Sequence, residues 1–186
     1  MDTPRFLSGK LLLAMPGMGD PRFERAVIAM CVHDQNGAVG VGIGHEREGI
    51  RLRGLMTQLG LDPGDAPDAP VHHGGPVEPG RGFVLHSDDW GGQDTIAVTG
   101  LGALTGTIDV LRAISESRGP SRYIVALGYA GWGEGQLDDE MTRHGWFAAA
   151  GGPAILFDTP VERRWQASFK AEGIDPRLLA SQAGAA

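Results

Sequence analysis

The chain has 186 residues, and its 16 Lys and Arg against 23 Asp and Glu give a formal charge of −7. Such a length predicts one domain whose core needs no disulfide or metal to hold it together. A single cysteine excludes an intrachain disulfide and any zinc site built from several cysteines. The acidic excess disfavours broad binding to nucleic acid, which depends on neutralising phosphates with Lys and Arg.

The sequence further predicts a cytoplasmic protein that does not enter a membrane. The apolar run at residues 11–15 is too short for the core of a signal peptide, and Pro16 interrupts it. No stretch approaches the ~20 apolar residues that cross a bilayer. A lone cysteine is typical of a reducing compartment.

The first elements along the chain predict a β-hairpin. Its apolar runs, residues 27–34 and 38–45, are separated by Gln35-Asn36-Gly37. Asn-Gly favours a tight turn because both residues tolerate positive φ. Residues 11–16 predict a preceding strand, and Asp20-Pro21 predicts at most one helical turn between the two.

The remaining chain predicts short helices and strands in no regular alternation. We expect a surface loop at residues 61–70 and helices at residues 52–59, 108–117, 135–147 and 160–172. We expect strands at residues 71–73, 82–87, 95–99, 123–130 and 154–157. The last helix has the clearest pattern: Thr159 and Glu162 form a capping box, and Val161, Trp165 and Phe169 form an apolar stripe.

This mixture predicts a single α+β domain over residues 1–186 with a mixed, largely antiparallel sheet. We expect about residues 1–8 and 180–186 to be frayed, because they carry few apolar anchors.

Cys31 and His33 are the first candidate for chemistry. Residues two apart on a strand face the same side, so a thiol and an imidazole could meet and form a nucleophile with its base. Alternatively, Val27, Ala29 and Cys31 form one core-facing stripe that ends at His33. Buried cysteine is a common core residue, and we favour this second interpretation.

Two further motifs favour structure over chemistry. The adjacent histidines His72 and His73 would point to opposite faces of a strand, so we expect neither a metal site nor a cofactor there. Residues 128–136 form a glycine-rich passage from a strand into a helix, which can bind an anion. They lack the lysine of a phosphate-binding loop, and we interpret them as a structural corner.

Several segments, taken in order, resemble the YqgE/AlgH family. They are Gly9–Pro16, Asp20–Val27, Cys31–Asp34, Asn36–Gly40, Gly74–Val77, Arg81–His86, Leu127–Trp132 and Gly135–Leu137 with Glu140, Trp146, Leu156, Phe157 and Trp165. The resemblance implies a bacterial cytoplasmic protein with a barrel-like arrangement of its sheet. One branch of the family carries the label of a transcriptional regulator, but no segment here resembles a helix-turn-helix.

The sequence departs from the family pattern at three places. Gly44-His45-Glu46 stands where an Asn, a basic residue and a Pro are usual, and His144-Gly145 stands where an Asn precedes Trp146. Asp138 replaces the usual Glu and keeps its charge. A ligand site lined by those asparagines would be altered in this chain.

The leading hypothesis is a non-enzymatic protein that binds a small ligand or a protein partner. The family label would add a regulatory role. The candidate surface combines glycine turns, a base, a guanidinium and an aromatic ring that could line one groove. Its residues are Gly74, Gly75, Pro76, Arg81, His86, Trp132 and Gln136.

Two alternatives belong to other functional classes. One is an enzyme that uses Cys31 with His33 on an acyl or thiol substrate. The other is a transcriptional regulator that contacts nucleic acid through a local basic patch, although the net charge disfavours it. That patch would consist of Arg51, Arg53, Arg163, Arg164 and Lys170.

Overall fold

The computed structural model describes residues 6–17, 24–143 and 145–179. Its strands are β1 (Leu11–Ala14), β2 (Val27–Asp34), β3 (Gly37–Gly42), β4 (Glu46–Arg51), β5 (Pro70–His73), β6 (Val77–His86), β7 (Thr95–Val98), β8 (Gly102–Thr105), β9 (Tyr123–Trp132) and β10 (Trp146–Ala149). Its helices are α1 (Leu52–Gln58), α2 (Asp109–Ser115), α3 (Gln136–Thr142), α4 (Pro153–Asp158) and α5 (Arg164–Ala171), with a 3-10 turn at Val161–Arg163 before α5.

The long strand β9 organises the sheet. It pairs antiparallel with β6 along most of its length, in parallel with β5 at residues 125–127, and antiparallel with β3 at residues 130–132. The main path through the sheet is β10-β1-β2-β3-β9-β6-β8-β7, and β4 is attached through β5. The strands curl into a half-barrel, which confirms the predicted α+β domain with a mixed, largely antiparallel sheet.

Glycines permit the close crossing where β5 passes into β6 beside β9. A Cβ on Gly74 would lie 2.1 Å from the carbonyl oxygen of Gly128, and one on Gly75 would lie 2.1 Å from the carbonyl carbon of Tyr129. Gly128 itself has a φ of +80°. Side chains at these positions would collide with backbone, so the glycines serve the fold directly.

The predicted hairpin and the first predicted helix are confirmed. β2 and β3 pair antiparallel around residues 35–36, and α1 is followed by Gly60 with a φ of +78°. Leu7 and Ser8, which we expected to be frayed, both hydrogen-bond His33. The predicted turn at Asp20-Pro21 and the tails 1–5 and 180–186 lie outside the described residues.

Two predicted elements have the wrong type or extent. The helix expected at residues 135–147 ends at Thr142, and Trp146–Ala149 instead pairs with β1 as a strand. The strand expected at 154–157 is part of helix α4, which begins at Pro153. Short apolar runs do not distinguish strand from helix, and proline is well suited to the first helical position.

The predicted capping box does not form either. The Thr159 hydroxyl donates to the carbonyl of Ala154 rather than capping the last helix. In α2, which also has no side-chain cap, the Thr107 hydroxyl donates to the Asp109 carboxylate. The last helix therefore starts with the 3-10 turn and becomes α-helical only at Arg164.

The core lies inside the curl of the sheet and is closed by α5. Trp165 and Phe169 of α5 are buried and pack with Leu11, Leu13 and other residues of the largest core cluster. This packing brings the start of α5 against the ends of β3 and β5. No described helix is both long and apolar enough to cross a membrane.

Candidate functional site

A β-bulge in β2 separates the predicted pair Cys31 and His33. Ala29 pairs with Val41, but the register shifts after Met30 so that His33 pairs with Ala38. A shift of one residue moves all following side chains to the other face of the sheet. Cys31 packs with Val41 in the central cluster, whereas Ala38 belongs to the cluster on the opposite face. The prediction that the two side chains share a face is wrong.

The partners of Cys31 and His33 are also structural. The Cys31 thiol donates to the carbonyl of Ala29 at 3.6 Å, and burial raises its pKa to about 12. His33 accepts the backbone N–H of Leu7 at Nδ1, while its Nε2 lies 3.6 Å from the Asp138 carboxylate. A protonated thiol without a base cannot serve as the expected nucleophile.

The seven residues of the predicted groove do not come together. His86 pairs with Tyr123 at one end of β9, and Trp132 lies at its other end, nine residues and so about 30 Å along the strand. Gly74 and Gly75 are buried between these ends. A single groove lined by all seven residues is therefore not formed.

Trp132 and Gln136 hold the corner between β9 and α3. The Trp132 side chain is buried, and its Nε1–H donates to Glu140 at 2.6 Å. The Gln136 side-chain oxygen accepts the backbone N–H of Gly133 at 3.0 Å. Both contacts stabilise the turn, in agreement with the structural interpretation of residues 128–136.

Arg81 and Pro76 are exposed residues near the β5–β6 crossing. The Arg81 guanidinium lies over the ring of Phe83, 5.1 Å from its centroid, and 3.5 Å from the Glu78 carboxylate. Arg81 thus already has partners on the outer surface, where such an exposed ion pair contributes little to stability.

His86 is buried within a chain of neutral hydrogen bonds. Its Nδ1 donates to the carbonyl of Ser87, and its Nε2 accepts the hydroxyl of Thr105, both at 2.8 Å. Thr105 in turn accepts from Thr95, and Thr95 accepts the backbone N–H of Gly92. Both ring nitrogens are engaged, so His86 is a core residue rather than a surface base.

The predicted basic patch is divided in the structure. Arg51 donates to Asp68, and Arg53 donates to carbonyl oxygens of Gly64 and Ala66 in the 61–70 loop. Arg163 and Lys170 instead border a separate groove on the outer side of α5.

Arg164, the fifth member of that patch, is buried and is the most informative residue. Its Nη1 donates to the carbonyl of Ile43 and to Nε2 of His72, both at 2.7 Å, and its Nε donates to the carbonyl of Thr159 at 3.1 Å. These bonds join the ends of β3 and β5 to the turn before α5. The guanidinium forms no ion pair among the described residues.

The bonding pattern fixes the protonation of His72. Its Nδ1 lies 3.0 Å from the carbonyl of Val125 and must donate, which leaves Nε2 as the acceptor for Arg164. Burial and the Arg164 charge lower the pKa of His72 to about 4. Burial lowers the pKa of Arg164 to about 10, against opposing effects of Glu162 and Glu46. At neutral pH the pair is thus an imidazole and a guanidinium cation.

A cavity of about 330 Å³ opens beside this pair, and Arg164 and His72 both line it. Three of the five N–H groups of Arg164 are used, and the two on Nη2 have no hydrogen-bond partner among the described residues. No fully buried polar side-chain atom of the described chain lacks a partner, so Nη2 must reach open space. The cavity supplies that space.

The burial of Arg164 could have been predicted from its helical spacing, but the predicted stripe included only the three apolar residues Val161, Trp165 and Phe169. Positions 164 and 168 lie three and seven residues after Val161, on the same helix face as Trp165 and Phe169. Both are buried. The prediction that Arg164 belongs to a surface basic patch is therefore wrong. His72 gave no comparable signal, because its partner is distant in sequence.

Comparison with known proteins identifies the group to which this fold belongs. A family model described as AlgH-like matches residues 11–177. The chain belongs to the AlgH-like family. A UPF0301 protein of Novosphingobium aromaticivorans is 63% identical over 186 residues, covering 100% of both chains, and one of Rhizorhabdus wittichii is 60% identical with the same coverage.

Two solved structures of similar fold extend the comparison. The solution structure of AlgH from Pseudomonas aeruginosa has a TM-score of 0.80 at 37% identity and covers 96% of this chain and 95% of its own. A crystal structure from Corynebacterium diphtheriae has a TM-score of 0.75 at 19% identity, with 97% and 94% covered, and shows the shared fold alone.

One of the departures that the sequence led us to expect from the resemblance lies at the candidate site. Glu46, the last residue of Gly44-His45-Glu46, lines the cavity beside Arg164. Asp138 lies near His33, and His144 lies outside the described residues. No group of His, Cys, Asp and Glu suited to a metal occurs among the described residues.

Proposed function

We propose that this protein is a non-enzymatic binding protein for a small molecule whose oxygen acceptor, a carboxylate above all, binds Arg164. The observation that carries the proposal is the free Nη2 of a buried guanidinium beside a cavity. Planar guanidinium groups bind carboxylates strongly because their parallel N–H groups match the two oxygens. Burial strengthens the interaction by excluding competing water.

The bonding of His72 supports binding rather than catalysis by an imidazole base. His72 is the titratable group closest to Arg164, and both of its ring nitrogens are engaged in hydrogen bonds. It therefore has no free nitrogen with which to take a substrate proton. The volume of about 330 Å³ lies at the lower end of the range typical of small-molecule pockets.

The proposal includes a cytoplasmic setting, which the single buried thiol of Cys31 supports. It does not include direct contact with nucleic acid. Arg51 and Arg53 donate hydrogen bonds to the 61–70 loop, and Arg164 is buried. The predicted patch therefore offers little continuous positive surface. A regulatory role would act through occupancy of the pocket.

Titration with sodium acetate, followed by amide NMR shifts at constant ionic strength, tests the proposal. We expect saturable shifts at Ile43, His72 and Thr159 with a millimolar dissociation constant, because acetate has few atoms. Arg164→Lys should weaken binding at least fivefold, because it loses the planar fork but keeps the charge. The matched control Arg163→Lys alters the exposed neighbour and should bind as the wild type does. Absence of saturable shifts in the wild-type protein, or equal weakening by both variants, would contradict the proposal.

A further inference from the structure

Charges of both signs border the cavity beside Arg164. Glu46 pairs with His72 in the register of β4 and β5, so their side chains lie on the same face as neighbours. Glu162 lies two residues before Arg164 and lines the same cavity. Both glutamates are exposed, and neither forms an ion pair within the described part of the chain. They remain available to a ligand.

The third acidic residue of the cavity is already neutralised. Asp158 forms an ion pair with Arg122 on the outer surface. The charges that a ligand meets are therefore one buried cation and two carboxylates at the rim. Their separation in depth, with Arg164 below and the glutamates above, distinguishes the two ends of a ligand.

Three apolar residues also line the cavity. Phe157, Pro70 and Val161 are each partly buried. The volume of about 330 Å³ accommodates a ligand of about ten non-hydrogen atoms if each occupies the share of one water. The cavity thus combines a buried cation, exposed carboxylates and apolar lining residues.

We propose that the ligand is a small zwitterion, an α-amino acid with an apolar side chain. Its carboxylate binds Nη2 of Arg164, its ammonium group binds between Glu46 and Glu162, and its side chain packs against Phe157. The inference rests on the proposed function and specifies its ligand class. A simple carboxylate contacts the guanidinium but is disfavoured by the rim, and a simple amine contacts the rim but is disfavoured by the guanidinium.

Three ligands of matched shape test this inference by calorimetry or NMR titration at pH 7. L-Leucine carries both charges, 4-methylpentanoate carries the carboxylate alone, and 3-methylbutylamine carries the ammonium group alone. We expect leucine to bind at least tenfold more tightly than either of the others. Each single-charge ligand loses one ion pair and gains a repulsion.

Neutralising the rim should change the affinities for leucine and for 4-methylpentanoate in opposite directions. In Glu46→Gln/Glu162→Gln, leucine should bind about fivefold or more weakly, and 4-methylpentanoate should bind more tightly. Both residues are exposed, so the variant should fold normally. Glu134→Gln/Asp139→Asn makes the same change of charge near α3, which packs on another core cluster. This control should leave both affinities unchanged.

The outcomes separate this inference from the proposed function. If 4-methylpentanoate binds as tightly as leucine and the rim variant strengthens both, the zwitterion is wrong and the carboxylate site stands. If neither ligand binds, and acetate causes no saturable shifts, both proposals fail. Binding of the amine alone, unaffected by Arg164→Lys, would also contradict the zwitterion.

Discussion

His86 and His72 are both buried histidines on strands next to β9, yet they differ in what surrounds them. His86 lies in a chain of hydroxyl and backbone groups in which every partner is neutral. His72 accepts a hydrogen bond from a buried cation, and that cation keeps two N–H groups beside a cavity. The first arrangement is complete without a ligand, whereas the second leaves a charged group only partly satisfied.

The contrast shows that burial of a histidine does not identify a functional site. A buried neutral network is stable when all its members have partners. A buried guanidinium pays a desolvation penalty that neutral acceptors offset incompletely. The informative feature at His72 is therefore the neighbouring charge and the space beside it. Substitutions in the two regions should differ in stability, pH response and ligand binding.

The largest effect should come from Arg164→Met. The substitution leaves the carbonyls of Ile43 and Thr159 and Nε2 of His72 without their donor, which we expect to cost about 3–5 kcal/mol of unfolding free energy. Urea denaturation at pH 7 measures this change. The control Arg163→Met removes an exposed charge and should change stability by about 0.5 kcal/mol or less. A loss below about 1 kcal/mol in Arg164→Met would show that the pair contributes little to the fold.

The next effect is a dependence of stability on pH that His72 produces. The native pKa of His72 is lowered from 6.5 to about 4, so between these values the unfolded chain binds a proton that the native protein does not. Stability should fall as pH decreases from about 6.5 to 4, by at most about 3 kcal/mol from this group. His72→Gln keeps an acceptor for Arg164 but cannot titrate.

Urea titrations of both proteins at pH 7, 6, 5 and 4 isolate the contribution of His72. The carboxylates are common to both proteins, so their titration cancels in the difference. We expect the stability advantage of the wild type over His72→Gln to shrink as pH falls. A constant difference across this range would mean that His72 does not resist protonation.

A smaller loss of stability should follow from Thr105→Val in the neutral hydrogen-bond network around His86. The substitution keeps the shape of the side chain but removes the donor to His86 and the acceptor for Thr95. We expect a loss of about 1–2 kcal/mol and no change in the affinity for acetate. The exposed control Thr99→Val should have a stability close to that of the wild type. An altered affinity for acetate in Thr105→Val would show that the His86 network and the Arg164 cavity are energetically coupled, which we do not expect.

The smallest effect should be seen at Cys31, a third buried group that has neither a charge nor a cavity beside it. Because burial raises its pKa to about 12, native protein at pH 8 should react with iodoacetamide far more slowly than a free thiol. Mass spectrometry should show complete labelling after unfolding in urea. Rapid labelling of the native protein would restore the hypothesis of a reactive cysteine.

Local patterns predicted the elements whose signals lie close together in sequence. The Asn-Gly turn predicted the β2–β3 hairpin, and the spacing of Leu52 and Leu55 predicted α1. The apolar run at 154–157 misled, because such a run suits a strand or a helix, and Pro153 decided for the helix. The bulge after Met30 could not be predicted, since register depends on the partner strand.

The candidate site was less predictable for the same reason. Arg164 and His72 are 92 positions apart, and no local pattern pairs them. Only the burial of Arg164 had a local signal, in its spacing relative to Val161 and Trp165. The glycines at 74 and 75 suggested a binding turn, but the structure explains them by backbone that a Cβ would strike.

The most direct test is NMR observation of the Arg164 side chain in protein labelled with [15N]arginine. Its Nε–H, bonded to Thr159, should exchange slowly with water and be resolved from the exposed arginines. On addition of L-leucine, we expect the Arg164 Nη2 signals to shift. Their lines should also become narrower, because binding slows rotation of the Nη2 group. The Arg163 signals should not change. Arg164 signals unaffected by leucine and by acetate, at concentrations where both are in large excess, would contradict a ligand site at this guanidinium.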